Sequence, residues 1–219
     1  KHIEELGENL VADAYHGDLL AVKNDLENGA PLDYVLYFYD DARDYGGVEF
    51  NALQAAASSG NEDVINFLID QGLDIDSPTP QGWTPLFIAT RDGQAEAAKL
   101  LVYRKANLNA QTDRGATALI MAITQKFPSE KVREDLLVYM LKRGADANQT
   151  DLAGRAPLYY AAAVKNPQAV KLLYEYGAKP GANTLQQIRT LLKKDNDKNS
   201  RRILALIKNP PAEKTKKKN

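Results

Sequence analysis

Few side chains in this sequence could do chemistry. His2 and His16 are its two imidazoles, and it has no cysteine. A Ser-His-Asp arrangement would have to use one of these histidines. His2 stands in the N-terminal fringe and His16 directly precedes a turn glycine, Gly17, so no such triad is expected. A zinc site lacks ligands, and cysteine nucleophiles and disulfides are ruled out. Asp40, Asp41 and Asp44 offer oxygen ligands for calcium, but their spacing misses the alternate-residue pattern of an EF-hand loop. The glycines stand at turns and form no phosphate-cradling loop. No catalytic residue, metal site or cofactor is expected.

What remains is recognition chemistry. The stretch YVLYFYDDARDYGG, residues 34–47, holds four tyrosines, Phe38 and three aspartates. It follows Leu26-Glu27-Asn28-Gly29-Ala30, which reads as the end of a helix hairpin, where a short turn would suffice. Connections are ordinarily small and polar, so this much aromatic surface calls for a purpose.

Composition narrows the classes. The chain of 219 residues is 44% apolar and 26% charged, ordinary for a globular protein. No apolar run approaches the roughly 18 residues that read as a membrane span. Net charge is −1, but residues 1–80 hold 17 Asp and Glu against 3 Lys and Arg, a net −14, and residues 81–219 hold 12 against 25, a net +13. One end is acidic and the other basic. The lysines of the basic half are spread over helix faces and a tail without an aromatic stacking platform, so nucleic-acid binding is not expected, and membrane attachment by the tail alone would be weak.

The elements that must position the aromatic stretch repeat along the chain. NALQAAASSGNEDVINFLIDQGLDID (51–76), TPLFIATRDGQAEAAKLLVYRKANLN (84–109) and APLYYAAAVKNPQAVKLLYEYGAKPG (156–181) share one plan. Each opens on a turn, runs into an alanine-rich helix, breaks, and carries a second helix ending in paired apolar residues. Gly72 to Lys105 and Gly144 to Gly177 are both 33 residues; Gly29 to Gly72 is 43 and Lys105 to Gly144 is 39. Two insertions thus interrupt a regular period, the sequence sign of a stacked array.

The spacing has a physical reading. Ala55, Ala56, Ala57, Ala89, Ala122 and Ala161 to Ala163 let helices approach closely. Phe67-Leu68, Leu100-Leu101, Leu136-Leu137 and Leu172-Leu173 fall on the second helices and face the stack. Thr84 and Thr117 stand where a hydroxyl caps a helix, and Pro85 and Pro157 suit a first turn that needs no N–H. Gly29, Gly72, Gly144 and Gly177 end the second helices, where Lys105 stands in place of the glycine; a left-handed backbone there costs about 1 kcal/mol.

DRGATALIMA (113–122), GWTPLFIAT (82–90) and RGADANQTDLAGRAPLYYAAA (143–163) resemble the ankyrin-repeat family, over roughly residues 10–180. The resemblance implies an all-α solenoid of about five repeats with β-turn fingers on one side, and protein binding without catalysis. The expected organisation is a single domain over 1–208, with repeats near 3–32, 46–78, 79–111, 112–150 and 151–183, a capping helix pair over 184–208, insertions at 33–45 and 125–131, and a disordered basic tail over 209–219. The sequence departs from the family where a TPLH histidine is replaced by Gln54, Phe87, Ile120 and Tyr159, so the hydrogen bonds between repeats must be missing or rebuilt. Ala156 cannot cap as Thr84 can.

The aromatic stretch is then the enlarged finger after the first repeat. Alternation in YVLYFY suggests a short strand or hairpin. Val35, Leu36 and Phe38 can fold back to shield the edge of the first repeat. Tyr37, Phe38, Tyr39, Asp40, Asp41, Arg43, Asp44 and Tyr45 are the candidate partner contacts, because Tyr and Arg are enriched in interface hot spots. The family pattern adds the finger positions Gln81, Trp83, Arg114 and Arg155 and the concave-face positions Ser58, Ser59, Arg91, Asp92, Thr124 and Gln125. Trp83 is also suited to packing on a neighbouring finger.

The functional expectation is a non-catalytic protein-binding module for a basic or cleft-bearing protein, most specifically an inhibitor. In general character the chain resembles periplasmic ankyrin proteins of predatory bacteria, which shield the cell from its own peptidoglycan endopeptidases. A missing cysteine set and a chain that begins at Lys1 suggest a periplasmic or secreted site. The alternative is a cytoplasmic or host-directed adaptor that binds a peptide on its concave face.

Overall fold

The computed structural model describes residues 2–38, 47–193, 195 and 197–214. Its contacts cluster into two compact units, Lys1–Asn107 and Leu108–Asn219.

The first unit is three helix pairs and a hairpin. Helices α1 (His2–His16) and α2 (Leu19–Glu27) form the first pair, α3 (Ala52–Ser59) and α4 (Glu62–Asp70) the second, α5 (Pro85–Arg91) and α6 (Ala95–Tyr103) the third. Strands β1 (Val35–Phe38) and β2 (Val48–Asn51) lie between the first two pairs. They pair antiparallel, with Leu36 opposite Phe50 and Tyr37 opposite Glu49. First helices stack on first helices, α1 on α3 and α3 on α5, and α4 packs on α6. Ala55, Ala56 and Ala57 are fully buried in that stack beside Leu10, Leu53, Ile65, Leu68, Leu86, Ile88 and Leu101. Each fully buried aliphatic side chain contributes about 1.5–3 kcal/mol, and the alanines set how close the backbones come.

The second unit repeats the plan with α7 (Ala118–Thr124), α8 (Glu130–Arg143), α9 (Pro157–Ala163), α10 (Pro167–Glu175), α11 (Ala182–Leu192) and α12 (Lys198–Lys208). Helix α7 packs on α9 and α9 on α11, over Leu119, Ile120, Ile123, Leu136 and Met140.

Helix ends follow the local chemistry. The Thr84, Thr117 and Ser129 hydroxyls accept from the backbone N–H groups of Phe87, Ile120 and Val132. Ala156 makes no such cap. Lys105 has φ +75°, so a lysine carries the left-handed conformation that glycine takes at the equivalent ends. Gln54 stands where the family has histidine and ties α3 to the finger that follows α4. Its Oε1 accepts from Asn51 N–H at 2.9 Å, and its Nε2 donates to the Ser77 carbonyl at 2.8 Å. The insertion near 125–131 lengthens the approach to α8, where Phe127 is half-buried and the Arg133 guanidinium lies 5.9 Å from its ring. At the other end of the second unit, residues 211–214 have no helical structure, and the Lys214 N–H donates to the Glu175 carbonyl at 2.7 Å.

Candidate protein-interaction surfaces

The hairpin sorts its side chains by face. Along β1, Leu36 and Phe38 point toward the first repeat and Val35 and Tyr37 toward solvent, as the two-residue period requires. Phe38 is half-buried between Tyr15, at 6.0 Å between ring centroids, and Phe50, at 5.7 Å. Phe50 is itself 3% exposed. Tyr34 lies against Gly7 of α1 so closely that a Cβ there would collide with its ring. Tyr37 likewise occupies the space a side chain on Gly47 would need, yet it is 59% exposed. The sequence groups Tyr37 and Phe38 together as partner contacts; the structure separates them. Phe38 anchors the hairpin and Tyr37 is presented. Tyr39, Asp40, Asp41, Arg43, Asp44 and Tyr45 lie outside the described residues.

Trp83, Arg91 and Asp92 come together as one cluster. The Arg91 guanidinium donates to both oxygens of Asp92, at 2.8 and 2.7 Å. It lies 4.6 Å from the centroid of the Trp83 ring and 5.9 Å from that of Phe50. Trp83 stacks on Phe87 at 5.9 Å. Ser58 of α3 donates to the Asp92 carboxylate at 2.6 Å, so the cluster ties two repeats together. Trp83 is half-buried by its own repeat and is not a free-standing anchor.

In the second unit, Arg114 is exposed at the tip of a finger. Its carbonyl accepts from the N–H of Leu152, on the next finger, at 3.1 Å. Leu152 is 79% exposed, so adjacent fingertips offer a cationic and an apolar side chain side by side.

The sequence marks Arg155 as a finger position but not the neighbouring groove that it lines. Ala153, Arg155, Tyr159, Gln186, Gln187, Thr190 and Leu191 line a volume of about 400 Å³ beside α9 and α11. Below it, the buried Asp151 carboxylate accepts from Arg155 Nε at 3.0 Å and from the Tyr160 hydroxyl in a very short bond. Burial pushes the Asp151 carboxyl up, but hydrogen bonds from Tyr160 and from the Arg155 backbone and side chain outweigh it and hold it below the ordinary carboxylate value. Burial, then the bond to Asp151, push the Tyr160 phenol up to about 12. The Arg155 guanidinium lies 5.8 Å from the ring of Tyr159 and 5.4 Å from that of Tyr160. The signal available in the sequence was Asp151 four residues before Arg155, followed by Tyr159, where the family motif has histidine, and Tyr160 next to it.

Among the described residues no group of three or more His, Cys, Asp or Glu side chains is placed to hold a metal ion. Among them, too, no helix is long and apolar enough to cross a membrane.

Comparison with known proteins agrees with this architecture. Residues 13–112 and 104–184 match the family model "Ankyrin repeats (3 copies)". The chain is similar to the protein "Ankyrin repeat, SAM and basic leucine zipper domain-containing protein 1" of several mammals. Identity is 33% over 123 residues with that of Dasypus novemcinctus, covering 56% of this chain and 25% of the relative. It is 31% over 121 residues with that of Ornithorhynchus anatinus, covering 55% and 25%. It is 33% over 115 residues with that of Ovis aries, covering 52% and 24%. The match therefore spans about a quarter of the length of these relatives. With the family model covering most of its helix pairs, the chain belongs to the ankyrin-repeat family.

Proposed function

We propose that this protein-interaction module takes its partner, without catalysis, on the hairpin finger of the first unit. The observation that carries this reading is the division of β1. Leu36 and Phe38 fix the hairpin to the first repeat, while Val35 and the 59%-exposed Tyr37 face outward. An aromatic side chain on an anchored strand loses little entropy on binding, which is what a hot spot needs. The surrounding unit is acidic, so the partner is a protein with a basic surface, steered in by long-range charge. The narrower reading of the sequence, a periplasmic or secreted inhibitor of a peptidoglycan hydrolase, is supported only by the loop chemistry and the lack of cysteine. The mammalian relatives lend it no support.

The test is capture from an extract of the source cells by the immobilised chain. Val35→Glu with Tyr37→Ala should abolish capture and leave the melting temperature unchanged. Capture that survives both changes would refute the reading.

A second reading is favoured by the groove of the second unit. The Gln187 Oε1 there is buried without a hydrogen-bond partner, and Leu191 and Tyr159 flank it. An extended peptide could supply the missing N–H and an apolar side chain. This is the adaptor form of the function, and it accords with relatives whose names join ankyrin repeats to SAM and basic leucine zipper domains. Gln187→Leu should weaken capture in this case, and the hairpin variant should not.

A further inference from the structure

Each unit has a helix pair with one strongly charged, exposed face. In the first unit, α1 packs on α2, α3 and β1, and buries Leu6, Leu10, Val11 and Ala14. Its outer side carries Ile3, Glu5 and Glu8, and α2 adds Leu20 and Glu27, all exposed. Ile3 is 62% and Leu20 69% exposed, although both are large aliphatic side chains.

In the second unit, α12 packs on α10 and α11 through Ser200, Ile203 and Ile207. Lys198 stands three and four residues before Arg201 and Arg202, Lys208 seven after Arg201, all exposed, and the exposed Ala205 lies among them. A spacing of three or four places such residues on one helix face. Among the described residues none of these four cations forms an ion pair, whereas Lys165, Lys171 and Lys214 nearby all do. Arg189 and Lys193 of α11 and its C-cap are exposed as well, beside Leu191, which is 39% exposed.

The charges of the two units are opposite and nearly equal. Residues 1–107 hold 19 Asp and Glu against 7 Lys and Arg, a net −12; residues 108–219 hold 10 against 21, a net +11. Opposite charges on two units of one chain allow one copy to attract another.

We propose that the cationic open face of α11 and α12 docks on the anionic open face of α1 and α2 of a second copy, so that the chain associates head to tail. Ile3 and Leu20 then lose water against Leu191 and Ala205, while Glu5, Glu8 and Glu27 meet Arg201, Arg202 and Lys198. The contact joins two different surfaces, so it is heterologous. Its charges are at the rim and exposed, so the association is weak and sensitive to salt. The hairpin takes no part in this contact, and Leu191 is the one named residue it shares with the groove.

Sedimentation of the full chain over a range of concentrations tests it. At about 10 mM salt, where the screening length is about 30 Å, the weight-average mass should rise about twofold or more with concentration; at about 1 M salt, where it is about 3 Å, only monomer should remain. The variants E5K/E8K and K198E/R201E/R202E should each stay monomeric at low salt, with melting temperatures close to that of the parent because the positions are exposed. Mixed together they should associate, since each supplies the end the other has lost. A parent chain that is monomeric at low salt, or variants that associate as the parent does, would overturn the proposal. Loss of duplex DNA or phosphatidylserine vesicle binding in K198E/R201E/R202E, from a parent that never self-associates, would assign the face to a polyanion instead.

Discussion

The side-chain amide of Gln54 ties the start of α3 to the finger that follows α4: its Nε2 donates to the Ser77 carbonyl at 2.8 Å while its Oε1 holds the Asn51 N–H. Asn51 closes a capping box by accepting from Gln54 N–H at 2.9 Å, and its Nδ2 donates to Ser77 Oγ at 2.9 Å. One buried amide thus holds two backbone groups at the position where the family has histidine. Gln54→Leu keeps the volume and leaves the Ser77 carbonyl and the Asn51 N–H without their partners. The expected cost is about 2–4 kcal/mol, from two groups at about 1–2 kcal/mol each. Denaturant unfolding measures it, and a change below half of the lower value would show that the bridge is dispensable.

Lys105 is held at φ +75°. Its Cβ is crowded in that conformation, at a cost of about 1–2 kcal/mol relative to glycine. Lys105→Gly removes the crowding and adds freedom to the unfolded chain, which takes back about half of the gain. The net expectation is a melting temperature raised by about 2 °C. Ala at the same site should give no gain, because it retains the Cβ.

These two positions show what the sequence discloses and what it conceals. The 33-residue period, the threonine caps and the alanine-rich first helices place the helix pairs before any coordinates are seen, because they depend on local chemistry repeated several times. Lys105 is legible for the same reason: the period marks its position as a helix end. Gln54 is only half legible. The period shows that a histidine is missing there, but what the glutamine holds instead depends on Ser77, 23 residues away. The hairpin is legible as an alternation in YVLYFY, yet its facing is not. That is decided by Tyr15 and Phe50, which receive Phe38, and a shift of one residue would have exchanged its role with that of Tyr37. The cluster of Asp151, Arg155 and Tyr160 was missed because each residue has a plausible separate role on a finger or helix, and only packing brings them together.

Asp25 is buried in α2 with its Oδ2 unpartnered. Burial, and then the Asp13 carboxylate beside it, raise its pKa above the ordinary value of 3.8. The folded chain therefore holds this proton to higher pH than the unfolded chain does. Its contribution is favourable below the unfolded value and is lost as pH rises through the raised folded value. At pH 7 a buried, partly unsatisfied charge remains. Asp25→Asn should stabilise the chain there by about 1 kcal/mol. The difference between the two chains should shrink as pH falls toward about 4 and vanish below it. Parallel melts across that range decide the matter, and a gain independent of pH would mean that the charge is not its source.

Arg91 and Asp92 were both expected to meet a partner, and the geometry gives them first to each other. The Asp92 side chain is 2% exposed and that of Arg91 12%, with Ser58 donating to the same carboxylate and Trp83 4.6 Å from the guanidinium. Removing one member of so buried a pair costs about 3–5 kcal/mol, chiefly because the other charge stays in place. Arg91→Ala should therefore destabilise the first unit by about that much and shift the emission of Trp83, the single tryptophan, as its face is uncovered. Arg91→Lys keeps the charge but cannot hold both oxygens or stack as a plane, so it should recover only part of the loss. Arg91→Ala combined with Asp92→Asn should be more stable than Arg91→Ala alone, because the buried charge has gone. If the double change is no better, the cluster's role lies in contact with a partner, and Arg91→Ala should then lower partner capture at temperatures well below the melt.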